Sequence, residues 1–198
     1  MQKLFLSVLV VCLYGCGGDR SSLETYQKTA RLDNSLTERY HQPYSATEEY
    51  VNRVAKRVSM VSDRPTDNFT VNVDNSSSIE YSLDTENHVL NISQGALAQL
   101  KDEAELAAVL TIAMARLNNT PNLDDETATT LYKAGYDPHA LLDLQEQYYR
   151  AENRTNWLSE VFPTPPTATT IEANKTMIDK MPKGLLRGSE TYTQHING

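Results

Sequence analysis

Few side chains in this 198-residue chain have the type and spacing that chemistry requires. The four histidines, His41, His88, His139 and His195, are scattered, with no pair at metal-ligand spacing. Zinc on a helix needs two histidines at i and i+4, which share one face, and a carboxylate to take a proton from bound water. The histidines therefore read as four surface residues, and His139, after Pro138 at a helix start, as an exposed one. The two cysteines, Cys12 and Cys16, both lie near the N-terminus. Downstream of them the chain has no disulfide and no thiolate metal site, and no Ser/His/Asp or Cys/His arrangement stands out. Cys16 is the one reactive candidate.

Its surroundings read as an address. Met1-Gln2-Lys3 is a short positive start, and Leu4 to Tyr14 is an apolar run. Spanning a bilayer takes ~20 apolar residues, so this run is too short for a stable transmembrane helix and fits a secretory signal. Leu13-Tyr14-Gly15-Cys16 resembles a lipobox, which implies cleavage before Cys16 and lipid (palmitate-type acyl chains) on that cysteine. Several chains anchor firmly where one does so marginally, at ~0.8 kcal/mol per buried methylene. Tyr14 is an unusual residue for a lipobox, and a plain signal peptide is the competing reading. Gly17-Gly18-Asp19 after the cysteine favours the outer membrane over the inner, with the domain facing the periplasm. The expected organisation is a signal peptide over 1–15 and a lipidated cysteine with polar tether over 16–40. A folded domain over 41–183 and a loose C-terminal tail over 184–198 follow.

The charge argues against nucleic acid. The formal net charge is -8, with 18 basic residues against 26 acidic. Removing residues 1–15 takes away Lys3 alone, so the remainder is one unit more negative. That balance repels phosphate backbones. Asn-x-Ser/Thr triplets such as those at Asn68 and Asn75 read as ordinary polar loop residues.

The elements that would position a site follow from periodicity. Ser45 to Glu48 forms a capping box, and Val51, Val54, Val58 and Val61 recur at helical spacing until Pro65. Phe69, Val71 and Val73 alternate, as do Ile79, Tyr81 and Leu83. After a turn at Asp84–Asn87 come Val89, Leu90 and Ile92. These three short strands predict one small antiparallel sheet. Gly95 breaks the strand, and Asp102 with Glu105 forms a second capping box. Behind it, Leu106 to Ala115 is apolar on nearly every side, the pattern of a buried helix. A helix ending at Ala134-Gly135 follows the loop from Asn118 to Asp125. Another starts at Asp137-Pro138 and carries Leu141, Leu142, Leu144, Tyr148 and Tyr149. Pro163 to Pro166 is an extended linker, and Ile171, Ile178 and Met181 mark a last helix. The fold class is α+β, mainly helical, with a small sheet of about three strands.

Two stretches taken together resemble a known family. Ile92 to Leu97, followed by Asp102 to Leu110, is similar to family forty-eight of the zinc metallopeptidases. That family includes the CAAX prenyl endopeptidase, HtpX-like and BepA-like proteases. In it a strand and a Gly-x-Leu turn lead to a helix reading Glu-Leu-Ala-x-Val-Leu-x-His-Glu-x-x-His. Tyr50 to Val54, Ser62 to Pro65, Ala134 to Pro138 and Thr164 to Pro166 with Ile171 resemble its other segments. They occur in family order between Tyr44 and Asn174.

The resemblance implies a metallopeptidase-like domain, and it fails where chemistry would sit. It puts Ile112 on the first zinc histidine, Ala113 on the catalytic glutamate and Arg116 on the second histidine. About Thr120 falls on the third-ligand glutamate, and Asp124 on the aspartate that accompanies it. Glu126 is a neighbouring carboxylate. Pro165 replaces the histidine of Thr-His-Pro, and Thr170 replaces an arginine. Ile and Ala offer no ligand atom, and Arg does not surrender its proton. Arg116 either snorkels to solvent or pairs with Asp124 or Glu126.

Three readings follow. One is a lipid-anchored pseudo-peptidase without metal or cofactor, binding or scaffolding envelope proteins, with contacts such as Gln147, Tyr148 and Tyr149. Another is a zinc metalloendopeptidase with an unrecognised metal site. The third is an envelope lipoprotein of unrelated structural role.

Overall fold

The computed structural model describes residues 45–63, 69–151, 157–183 and 185–196. The expected signal peptide, Cys16, the expected tether and Pro65 lie outside them. Helix α1 (Ala46–Ser59) begins where its capping box says: the Ser45 hydroxyl accepts the Glu48 amide at 3.1 Å. The valine stripe buries Val51, Val54 and Val58.

The strands are β1 (Thr70–Asp74), β2 (Tyr81–Asp84) and β3 (Val89–Ser93), in the order β1-β3-β2. The α+β class is as expected, but the sheet is mixed rather than antiparallel throughout. β2 and β3 form an antiparallel hairpin, with Tyr81 opposite Ile92 and Leu83 opposite Leu90. β1 runs parallel to β3, with Val71 opposite Leu90 and Val73 opposite Ile92. The cause is the connection after β1, which leaves a one-strand gap that β3 returns to fill. This connection is tied to the end of β3. Ser93 Oγ donates to Ser78 O at 2.5 Å and accepts the Glu80 amide at 2.9 Å, and the Gly95 amide donates to Ser76 O at 3.0 Å. Ile79, expected inside the alternation, precedes β2 and is exposed. The outer edge of β1 is closed by a side chain. Asn52 on α1 donates to Val71 O at 2.9 Å and accepts the Val71 amide at 3.2 Å, standing in for a neighbouring strand.

Ser93 also caps a short helix, α2 (Gln94–Leu97). Helix α3 (Glu103–Leu117) is the axis of the domain, buried without interruption from Glu103 to Ala115. Asp102 accepts the Glu105 amide at 2.9 Å, and Glu105 reaches back to the Lys101 amide at 2.8 Å. Around α3 pack α1, α4 (Leu123–Lys133) and α5 (His139–Arg150), with α6 (Leu158–Val161) at its far end. Gly135, at φ 82°, turns the chain out of α4 in the left-handed region that glycine adopts freely. Helix α7 (Ala168–Ile178) lies on α5.

Residues 185–196, within the segment expected to be a loose tail, are structured. Leu186 bridges to Tyr136, and helix α8 (Ser189–Ile196) buries Tyr192 and Ile196. The Tyr192 hydroxyl donates to Leu97 O at 2.6 Å. Only these two apolar residues, four apart, mark the helix, too few for a periodic signal. Arg187 completes the seat. Its Nε lies 2.8 Å from Asp102, its Nη2 2.6 Å from Asp143 and its Nη1 3.7 Å from Asp137. Replacing Arg187 by Ala strands these carboxylates together. The expected loss is about 2 kcal/mol, read by urea unfolding, with faster exchange of the Ala104 amide that bonds Arg187 O. A loss within a few tenths would mean that the seat does not depend on the guanidinium.

Candidate functional site

The positions that the resemblance sets on the zinc motif divide into two groups. Ile112 and Ala113 lie in the middle of α3 and are wholly buried. Their side chains belong to the core and carry no donor atoms. Arg116, one turn beyond Ile112, leaves the core at the end of α3. Its guanidinium donates to the main-chain carbonyls of Glu160 and of Val161, the latter at 3.2 Å, where α6 ends. Those are orphan carbonyls of a helix terminus, which a cation satisfies well. Neither expected carboxylate is its partner: Asp124 accepts from Asn174, and Glu126 from Ser62. Burial pushes the neighbouring Tyr81 hydroxyl up to about 12, with the Arg116 charge pulling the other way.

Arg116 nevertheless shares a cavity with the other positions. A cavity of about 740 Å³ is lined by Arg116, Thr120, Asp124, Pro165 and Thr170, and Phe162 contributes to its wall. Thus five positions singled out by the motif order converge, from α3, the loop after it, α4, the Pro163–Pro166 segment and α7. Ile112 and Ala113 are left behind in the core.

Two further wall residues carry no family signal. Gln145 on α5 is 1% exposed and Asn174 on α7 is 9% exposed. The Asn174 amide donates to Asp124 Oδ2 at 2.7 Å and to Gln145 Oε1 at 3.0 Å, joining three helices through one side chain. A sequence signal for both exists. Gln145 falls four residues after Leu141, and Asn174 falls between Ile171 and Ile178, so each is an amide interrupting an apolar stripe. Burial of such groups is tolerated when they are hydrogen-bonded. Asp124, Asp125 and Glu126 occupy the first turn of α4, where the helix dipole favours carboxylates. The Thr120 hydroxyl is buried with no hydrogen-bond partner among the described residues.

The remaining candidates lie elsewhere. His139 is held rather than free, its ring nitrogens 2.8 Å from Asp137 and 3.3 Å from Asp179. His195 stacks on Tyr50 with centroids 4.3 Å apart, and His41 is outside the described residues. Among the described residues no three His, Cys, Asp or Glu side chains group as metal ligands would. Tyr148 packs on Phe162, whereas Tyr149 is exposed and Gln147 Oε1 is buried without a partner among the described residues. That helix face is thus core on one side and solvated on the other.

No protein-family model matches the chain, and no curated protein matches it.

Proposed function

We propose that the chain is a lipid-anchored pseudo-peptidase of the cell envelope, a degenerate relative of family forty-eight that binds or scaffolds other proteins without hydrolysing them. One observation carries the reading. Two of the four positions that the resemblance sets on the zinc site, Arg116 and Thr120, line one cavity together with Asp124, Pro165 and Thr170 from the family's other segments. The first ligand and the base have become the core residues Ile112 and Ala113.

The residues present do not fit a zinc ion in the family's manner. Ile112 and Ala113 supply no ligand atom, and Arg116 keeps its proton and is engaged on carbonyls. A buried aliphatic face in place of a wet ligand face favours packing over catalysis. Anchoring rests on Cys16 and on membrane insertion of its acyl chains. No helix among the described residues is long and apolar enough to cross a membrane.

The test is metal content and proteolysis on the same sample. The purified chain, equilibrated with zinc and freed of excess, is expected to retain well under one zinc per chain. It is expected to leave unfolded casein uncut whether zinc or a chelator is present. One tightly held zinc per chain with chelator-sensitive cleavage would overturn the proposal.

A further inference from the structure

The polar floor of the cavity is unbalanced, and the imbalance specifies what would fill it. Asp124, Asn174 and Gln145 are joined through the Asn174 amide nitrogen, which serves both neighbours. Among the described residues, three ends of this chain of groups remain without a hydrogen bond: Asp124 Oδ1, Asn174 Oδ1 and Gln145 Nε2. Gln145 lines the cavity, and its amide nitrogen, which is not among the fully buried unpartnered atoms, opens onto it. The natural complement of such a donor is an oxygen acceptor, since a ligand that displaces water must replace its hydrogen bond. The two free acceptors call for N–H donors, and one of them carries a negative charge.

Electrostatics narrow the choice. Arg116 is the one basic residue of the lining and is committed to the carbonyls at the end of α6, while Asp124 and Asp125 both face the cavity. An anion is disfavoured; a cation bearing several N–H donors is favoured. The ligand must therefore place a cationic donor group beside a carbonyl oxygen, separated by no more than the span of the Asn174 amide. In a free peptide N-terminus the ammonium and the first carbonyl are joined through a single carbon. In a lysine side chain the ammonium stands four methylenes from the main chain.

We propose that this cavity holds the free N-terminal residue of a polypeptide, with its ammonium on Asp124 and Asn174 and its first carbonyl on Gln145. The rest of the peptide leaves past the exposed Thr164 and Pro165 at the rim. The assignment rests on reading the site as a binding cavity and names its ligand class.

Three small peptides and the full ¹⁵N-labelled chain in neutral detergent test it. Ala-Ala-Ala-amide is expected to shift the Gln145 and Asn174 side-chain amide resonances saturably. Acetyl-Ala-Ala-Ala-amide, which lacks only the ammonium, is expected to bind at least about tenfold more weakly. Acetyl-Ala-Lys-Ala-amide separates a basic side chain from an N-terminus and is expected to resemble the acetylated control. Raising the pH through about 8, where an α-amine loses its proton, should release the first peptide. Asp124→Asn is expected to lose binding by about tenfold or more, while Glu126→Gln, in the same helical turn but outside the lining, keeps it. Equal binding of the acetylated peptide, binding of the lysine peptide alone, or shifts confined to other resonances would overturn the assignment. The peptide comparison needs no variant, so a misfolded Asp124→Asn chain does not blunt it. Failure here leaves the pseudo-peptidase reading intact, whereas zinc-dependent cleavage would sink that reading whichever peptide binds.

Discussion

Ala113→Glu is expected to unfold the domain or bring it close to unfolding. The substitution puts a glutamate where the family's catalytic base would stand. Ala113 is wholly buried on a helix that is itself buried from Glu103 to Ala115, with α1, α4 and α5 packed around it. Added side-chain volume in a packed core costs about 1–3 kcal/mol, and an unpaired buried carboxylate adds several more unless it stays protonated. Against a total stability of about 5–15 kcal/mol for a domain, that loss is close to complete. Urea unfolding would show a much lower midpoint, and zinc would not restore it, because Ile112 one residue earlier supplies no ligand. An unshifted midpoint would mean that position 113 opens onto the cavity, and the division between core and cavity drawn above would be wrong.

Gly95→Ala is expected to be nearly as damaging, for a reason of space rather than charge. A Cβ at position 95 would stand 2.3 Å from both Ser77 O and Ser78 O. Both are main-chain atoms, so no rotamer change relieves the clash. The segment they belong to is the connection that carries the chain from β1 past the end of β3, pinned by Ser93 and by the Gly95 amide itself. Making room therefore detaches the crossover from the sheet. The expected loss is about 3–5 kcal/mol, at the severe end for a single methyl group. A lower urea midpoint at unchanged slope would report it. A loss under about 1 kcal/mol would mean that the crossover yields readily.

What the sequence disclosed depended on how far apart the cooperating residues lie. Ser45 and Asp102 announced helix starts because a cap and its partner are three residues apart. The unbroken apolar stretch behind Asp102 announced a buried helix for the same local reason. The parallel pairing of β1 with β3 was hidden. Alternation tells which face of a strand is apolar but not which neighbour it takes, and the deciding contacts run from Ser76–Ser78 to Ser93–Gly95. Helix α8 was hidden because Tyr192 and Ile196 alone mark it, and their partners lie far upstream. The site was partly legible. Motif order brought Arg116, Thr120, Asp124, Pro165 and Thr170 into one neighbourhood. It was silent on Gln145 and Asn174, whose meaning lies in a hydrogen bond between two helices.

The seat of α8 bears on how the chain reaches its native state. Thr47 donates to His195 O across 148 residues, Gln94 to Ile196 O across 102, and Tyr192 to Leu97 O across 95. Closing loops of that length is entropically uphill until the contacts at their ends are in place. A chain that emerges N-terminus first has made α1, the sheet and α3 long before the residues that cover them arrive. Until α8 docks, the faces of α1 and α3 that it covers stay open.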